Sequence, residues 1–263
     1  MSDPSPTLKS LFDLTGRIAV VTGGSRGLGL QMAEALAEFG ATVILTARKQ
    51  RELDAAVSHL HAAGWKADAF AGDFGEAQTI QGFIDWLEAG YGRVDILVNN
   101  AGTAWAAPTL DHSIEGWNKV LALNLTGPFL LTQAVARKWM VPNRAGRIVN
   151  IASVEGLQGH HADLGGMIAY ASSKGGLINF TRALAGEWGQ YGITVNALAP
   201  GYFPSKLTEV ALQRIEGAVV AHTPLGKLGG PGDLKGAVLL FASDAGGHIS
   251  GQVLAIDGGA TVI

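Results

Sequence analysis

Seven short, strand-like apolar runs recur along this chain, and each is separated from the next by a longer stretch. The runs are RIAVVT (17–22), ATVILT (41–46), KADAFA (66–71), VDILVN (94–99), GRIVNIA (146–152), ITVNALA (193–199) and QVLAID (252–257). Apolar residues recur with helical period in 27–40, 50–64, 76–92, 114–140, 169–192 and 232–244. Strands alternating with helices of this length are the pattern of βαβ units and a parallel sheet, so the fold class is α/β. Gly40, Gly64, Gly92 and Gly192 close four of the helical stretches, as expected of the left-handed position after a helix. After the sixth strand the only long stretch without a clear period is about 201–230, and a loop of that length in a compact domain usually covers a site.

With 48% hydrophobic and 16% charged residues, a chain of 263 residues can bury one large core. A single domain over 1–263 is expected, with 1–15 as an N-terminal extension. The net charge of −3 is spread without a basic stripe or acidic tail, so composition gives no nucleic-acid or anionic-membrane partner. The chain contains no cysteine, which excludes disulfides, thiolate catalysis and Cys-ligated metal centres. There is no apolar run of signal-peptide or membrane-spanning length, and a cytoplasmic location is expected.

TGGSRGLG (22–29) joins the first run to the first helix, the context in which a glycine cluster meets phosphate. Gly23, Gly27 and Gly29, with Ser25, Arg26 and Leu28 between them, let the backbone turn tightly and set a pyrophosphate at the helix N-terminus. The spacing G-x-x-x-G-x-G differs from the common dinucleotide fingerprint, and no Gly-Lys-Ser/Thr follows as in a P-loop. At the end of the second strand an acid would bind the ribose hydroxyls of NAD, whereas an arginine would accept the 2′-phosphate of NADP. Ala47-Arg48 stands there, so Arg48 with Arg26 favours NADP(H) over NAD(H). Asp73 and Phe74 after the third strand, and Asn100, Ala101 and Gly102 of NNAG after the fourth, lie at the carboxyl ends of the strands, where ligands collect. The tandem asparagines can brace adjacent strands or touch the cofactor.

YASSK (170–174) sets Tyr170 and Lys174 about one helical turn apart, on one face. A free phenol, with a pKa of about 10, is a poor proton acceptor at neutral pH, and a cation beside it would favour phenolate. Asn124 and Asn179 also begin glycosylation sequons, but both fall in helical stretches, which argues against modification.

Taken in chain order, the glycine turn, Arg48, Asp73, NNAG, Asn124, Ser153, Tyr170, Lys174, Pro200-Gly201 and IDGG (256–259) resemble the short-chain dehydrogenases/reductases. The resemblance runs from about residue 15 to the C-terminus. It implies a Rossmann-type, doubly wound parallel sheet of seven strands with helices on both faces, often assembled as a homotetramer. The implied catalytic set is Asn124, Ser153, Tyr170 and Lys174. Tyr170 would exchange a proton with the substrate oxygen while the nicotinamide exchanges hydride with the carbon. Ser153 would stabilise that oxygen. By resemblance Lys174 also holds the nicotinamide ribose, Asn124 helps seat a proton-relaying water, and no metal is needed. Pro200, Gly201, Phe203 and Ser205 border the cofactor, and 201–230 closes over the substrate.

Two departures stand out. Ser153 and Tyr170 lie 17 positions apart where the family usually has about 13, and the excess falls in GLQGHHADLGGMIA. Glu155, Gln158, His160 and His161 are therefore candidates for touching a polar substrate; a metal site from His160, His161 and Asp163 lacks a further ligand set. In PGYFPSKLT, Ser205 stands in for the family's threonine. The expected function is an NADP(H)-dependent interconversion of a ketone and a secondary alcohol. Two resemblances compete within it, to 3-oxoacyl-thioester reductases and to gluconate 5-dehydrogenase-like enzymes. An NAD(H)-dependent sugar-acid or polyol dehydrogenase is the alternative. An idle nucleotide-binding redox sensor would be free to lose Tyr170 or Lys174, and both are present.

Overall fold

The computed structural model describes residues 5–159, 166–206 and 208–263. Seven parallel strands form one sheet in the order β3-β2-β1-β4-β5-β6-β7. They are β1 (Ile18–Thr22), β2 (Thr42–Ala47), β3 (Ala67–Ala71), β4 (Ile96–Asn99), β5 (Gly146–Ile151), β6 (Ile193–Pro200) and β7 (Val253–Ile256). Each strand's ends fall within two residues of its expected run.

Successive strand residues point to opposite faces, and both faces are covered. Ala19 and Val21 pack with Met32 and Leu36 of α2 (Gly27–Glu38), Leu53 and Leu60 of α3 (Gln50–Ala62) and Phe241 of α10 (Lys235–Ala242). Val20 and Ile44 face the other way, toward Phe83 and Leu87 of α4 (Ala77–Gly90), Leu131 of α6 (Gly127–Val135) and Leu184 of α8 (Ile168–Trp188). This two-sided burial is why the runs are apolar almost throughout. A short helix, α1 (Leu8–Leu11), precedes β1, and Leu14 between them is buried in the first of these cores.

The helical stretch at 114–140 is built as α5 (Ile114–Leu121) and α6 with π-helical turns at Ala122–Thr126 and Ala136–Met140, and it runs on into the short α7 (Val141–Asn143). The four glycines that close helical stretches all have positive φ, from 67° at Gly92 to 100° at Gly40.

One expectation changes. The aperiodic stretch 201–230 contains a helix, α9 (Glu209–Ala221). It lies on the surface and Leu212 is its one buried residue among those described, so no apolar stripe had to be written into its sequence. The strand order reverses between β1 and β4, and the crevice above that point is where an open α/β sheet takes its ligand.

Candidate active site

A cavity of about 570 Å³ opens along the carboxyl ends of the strands. Every residue expected to touch the cofactor lines it, from the glycine turn through Arg48, Asp73, Phe74 and NNAG to Pro200, Gly201, Phe203 and Ser205. Of the expected catalytic set, Ser153, Tyr170 and Lys174 line it as well; Asn124 lies behind the wall, fully buried.

The glycine turn is shaped by close approach. Gly23 and Gly27 have φ of 65° and 56°, and a Cβ on Gly29 would collide with the carbonyl oxygen of Gly23. Asn100 holds this turn in place: its Nδ2 donates to the carbonyls of Thr22 (2.8 Å) and Gly23 (3.2 Å). Thr22 Oγ1 in turn accepts from the backbone N–H groups of Asn100 and Ala101, each at 2.9 Å. Asn99 braces instead, donating to Thr132 Oγ1 (2.9 Å) and Asn150 Oδ1 (2.8 Å), while Asn150 donates to Thr181 Oγ1 on α8 (2.9 Å). Both asparagines thus brace neighbouring segments, and of the two Asn100 also lines the cavity.

The residues present fit a dinucleotide. No side chain caps the N-terminus of α2, whose first residues border the cavity, so its leading N–H groups remain for an anion. Thr46 Oγ1, buried at the same wall, has no partner among the described residues. Arg26, Arg48 and Lys49 stand at one end, with side chains 51%, 68% and 64% exposed. Arg26 and Lys49 both approach Glu52, and Arg48 lies 3.9 Å from Asp73. The expected clamp of Arg26 and Arg48 is therefore a cluster of three cations and two carboxylates.

At the other end the first turns of α8 bring Tyr170 and Lys174 to one face, with Lys174 Nζ 5.6 Å from the centre of the Tyr170 ring. Nζ donates to the carbonyl of Ile151 at 2.7 Å. Ser153 hydrogen-bonds to the Tyr170 hydroxyl and accepts from the N–H of Glu155 at 3.2 Å. The turn Val154–Gly156 lies so close to α8 that a Cβ on Gly156 would meet the backbone of Lys174 and Gly175 at 2.6–2.7 Å. That glycine lets the serine sit over the tyrosine, a role no local pattern announces.

Burial pushes the Tyr170 hydroxyl up to about 12; the Ser153 hydrogen bond opposes this, and the charges of Glu155 and Tyr202 add to it. Burial also pushes the Lys174 ammonium down to about 8. Burial therefore opposes the expected pull of Lys174 toward phenolate. Removal from water favours the neutral form of each group, and the ammonium is directed at a carbonyl and at the ring face. Both shifts point toward the uncharged form.

Asn124 sits in the first π-helical turn, where its amide is almost fully used. Oδ1 accepts from Thr103 N–H (2.8 Å), and Nδ2 donates to Thr103 O (2.9 Å) and Ser173 Oγ (3.0 Å). It fixes the chain at Thr103, next to Gly102, whose Cβ position would lie 3.7 Å from Lys174 Nζ. Glu155, expected at the substrate mouth, accepts a hydrogen bond from the Tyr202 hydroxyl. Ser205 Oγ lies 3.0 Å from Thr208 Oγ1, which donates to Phe203 O at 2.6 Å. The carboxylate of Asp257, from IDGG, accepts from Gly259 and Thr261 and braces the C-terminal segment. Gln158 is exposed, while His160, His161 and Asp163 lie outside the described residues. Among the described residues there is no metal-binding cluster and no helix long and apolar enough to cross a membrane.

Comparison with known proteins accords with this geometry. The family model for short chain dehydrogenases matches residues 17–215. The gluconate 5-dehydrogenase of Gluconobacter oxydans is 39% identical over 254 residues, 96% of this chain and 97% of that one. The Escherichia coli 3-oxoacyl-acyl-carrier-protein reductase FabG is 38% identical, with 94% and 98% covered. The crystal structure of a gluconate 5-dehydrogenase from Burkholderia cenocepacia, in complex with NADP and tartrate, superimposes with a TM-score of 0.92 at 34% identity, covering 98% of this chain and all of that one. With a seven-stranded parallel sheet, a glycine turn at its switch point and a buried tyrosine-lysine pair beside a serine, this chain belongs to the short-chain dehydrogenase family and is an oxidoreductase.

Proposed function

We propose that the protein uses NADP(H) to interconvert a ketone and a secondary alcohol, with Tyr170 as the acid that delivers the proton in reduction. The observation that carries this reading is the convergence, in one cavity, of Ser153, Tyr170 and Lys174 at the buried end and three cations at the exposed end. The nicotinamide, when bound, supplies hydride to the carbonyl carbon or takes it from the alcohol. Ser153 donates a hydrogen bond to the substrate oxygen and steadies its developing charge. Tyr170, held protonated by burial, transfers its proton to that oxygen; in oxidation the same oxygen takes the alcohol proton back. Lys174 anchors the carboxyl end of β5 through Ile151 O and sets its charge beside the phenol. Asn124 acts as a positioning residue, holding the cavity wall at Gly102-Thr103. The glycine turn and the open N-terminus of α2 hold the diphosphate, and Arg26, Arg48 and Lys49 hold the 2′-phosphate.

For the substrate we infer a small hydroxylated ketone. A gluconate dehydrogenase and an acyl reductase resemble the chain almost equally. The polar Glu155–Tyr202 pair, close enough to influence Tyr170, favours hydroxyl groups on the substrate. Segment 201–230 closes over this mouth, with Phe203, Ser205 and Thr208 already lining the cavity. Assembly as a homotetramer is supported by apolar groups left exposed: Leu254 on edge strand β7, Val262 and Ile263 at the C-terminus, and Phe129 beside Phe180. Light scattering on the purified protein tests it.

The decisive assay follows NADPH oxidation across β-keto esters, sugar acids, and cyclic and aromatic ketones. Turnover of a keto-sugar acid or polyol-derived ketone is expected, and turnover confined to acyl thioesters overturns the substrate reading. Arg48→Asp is expected to lower the NADPH-to-NADH efficiency ratio about tenfold or more; an unchanged ratio removes Arg48 as the reader of the phosphate.

A further inference from the structure

The exposed end of the cavity contains a residue that works against the very ligand its neighbours attract. Arg26 Nη1 donates to Glu52 Oε1 at 3.1 Å, and Lys49 Nζ lies 3.5 Å from the same oxygen. Glu52 lines the cavity, and its side chain is 30% exposed, less than either cation that it engages. It belongs to the first turn of α3, whereas Arg26 immediately precedes α2, so the pairs span the gap between two helices where the end of β2 delivers Arg48.

We propose that Glu52 is a specificity-determining residue for the nucleotide, occupying Arg26 and Lys49 and thereby limiting the preference for a 2′-phosphate over a 2′-hydroxyl. The proposal rests on the NADP(H) reading above. Carboxylate and phosphate compete for the same N–H donors, and a phosphate that wins them still meets the displaced carboxylate at close range. A ribose hydroxyl carries no charge and needs neither cation. Neutralising Glu52 thus frees two cations for a phosphate and leaves binding of the unphosphorylated nucleotide as it was. Both ion pairs reach toward solvent, so the preference withheld is modest, about threefold to tenfold.

An acid in the first turn of a helix also favours the helix itself. A purely structural role would alter melting and would shift both nucleotides together. The readout is therefore a ratio, obtained by titrating the full-length protein with 2′,5′-ADP and with 5′-AMP in parallel, followed by calorimetry. Glu52→Gln is expected to bind 2′,5′-ADP about threefold to tenfold more tightly with 5′-AMP unchanged. Lys49→Gln is expected to weaken 2′,5′-ADP alone. A ratio that is unchanged or reduced in Glu52→Gln overturns the proposal. Wild-type protein that holds 5′-AMP as tightly as 2′,5′-ADP counts against the NADP(H) reading itself. In that case Glu52 retains its role only if Glu52→Gln creates the preference.

Discussion

At one end of the cavity Arg26, Arg48 and Lys49 stand half or more exposed among carboxylates; at the other, Lys174 is 4% exposed and donates to a backbone carbonyl. The same kind of charge does different work in the two places. In water, opposite charges cost little to bring together and gain little, so the outer cluster can exchange a carboxylate for a phosphate with small changes in free energy. In the interior the charge itself is disfavoured, and the pair Tyr170 and Lys174 is pressed toward neutrality. On the proposed reading, recognition sits where electrostatics is cheap and reversible, and proton transfer where burial sets the protonation state.

The strongest way to break this comparison is to remove the buried acid. Tyr170→Phe is expected to lower kcat by about 10²–10⁴-fold while leaving NADPH affinity unaltered. A variant that keeps most of its turnover would move the acid elsewhere. Next in size is the cost of burying the ammonium. A folded pKa of about 8 against the ordinary 10.5 means that the native state disfavours the proton. The penalty is complete below about pH 8 and disappears as pH rises toward the unfolded value. Lys174→Met should therefore be more stable than wild type at pH 7 by about 1–3 kcal/mol, with the difference shrinking by pH 10, and catalytically poor. Denaturant melts at both pH values check this, and a pH-independent difference rejects it. The smallest effect sharpens the outer end: raising salt from low to about 1 M should weaken NADPH binding severalfold and NADH binding less. Equal salt sensitivity would mean that the outer cations do not meet the extra phosphate.

The sheet was legible because it is buried on both faces, so its strands had to be apolar runs, and because helical period filled the spaces between them. Helix α9 was not, since a surface helix that buries Leu212 alone leaves almost no periodic trace. Of the site, Gly23, Gly29, Tyr170 and Lys174 could be read from spacing, since their roles depend on a local turn or one helical repeat. Gly156, Thr22 and Thr103 could not: each acts through a backbone contact with a distant segment. Nothing local marks Glu52 either: its contacts exist only because α2 and α3 converge on it.

Sequence alone determined the alternation of strands and helices, the glycine turn and the residue types available for chemistry, because these follow from periodicity and from local backbone sterics. Tertiary structure alone decided which charges face water and which do not. That choice raised the Tyr170 hydroxyl above its ordinary value and left Arg26 shared with Glu52. Solvation depends on everything that packs around a group, and no stretch of neighbouring residues encodes it.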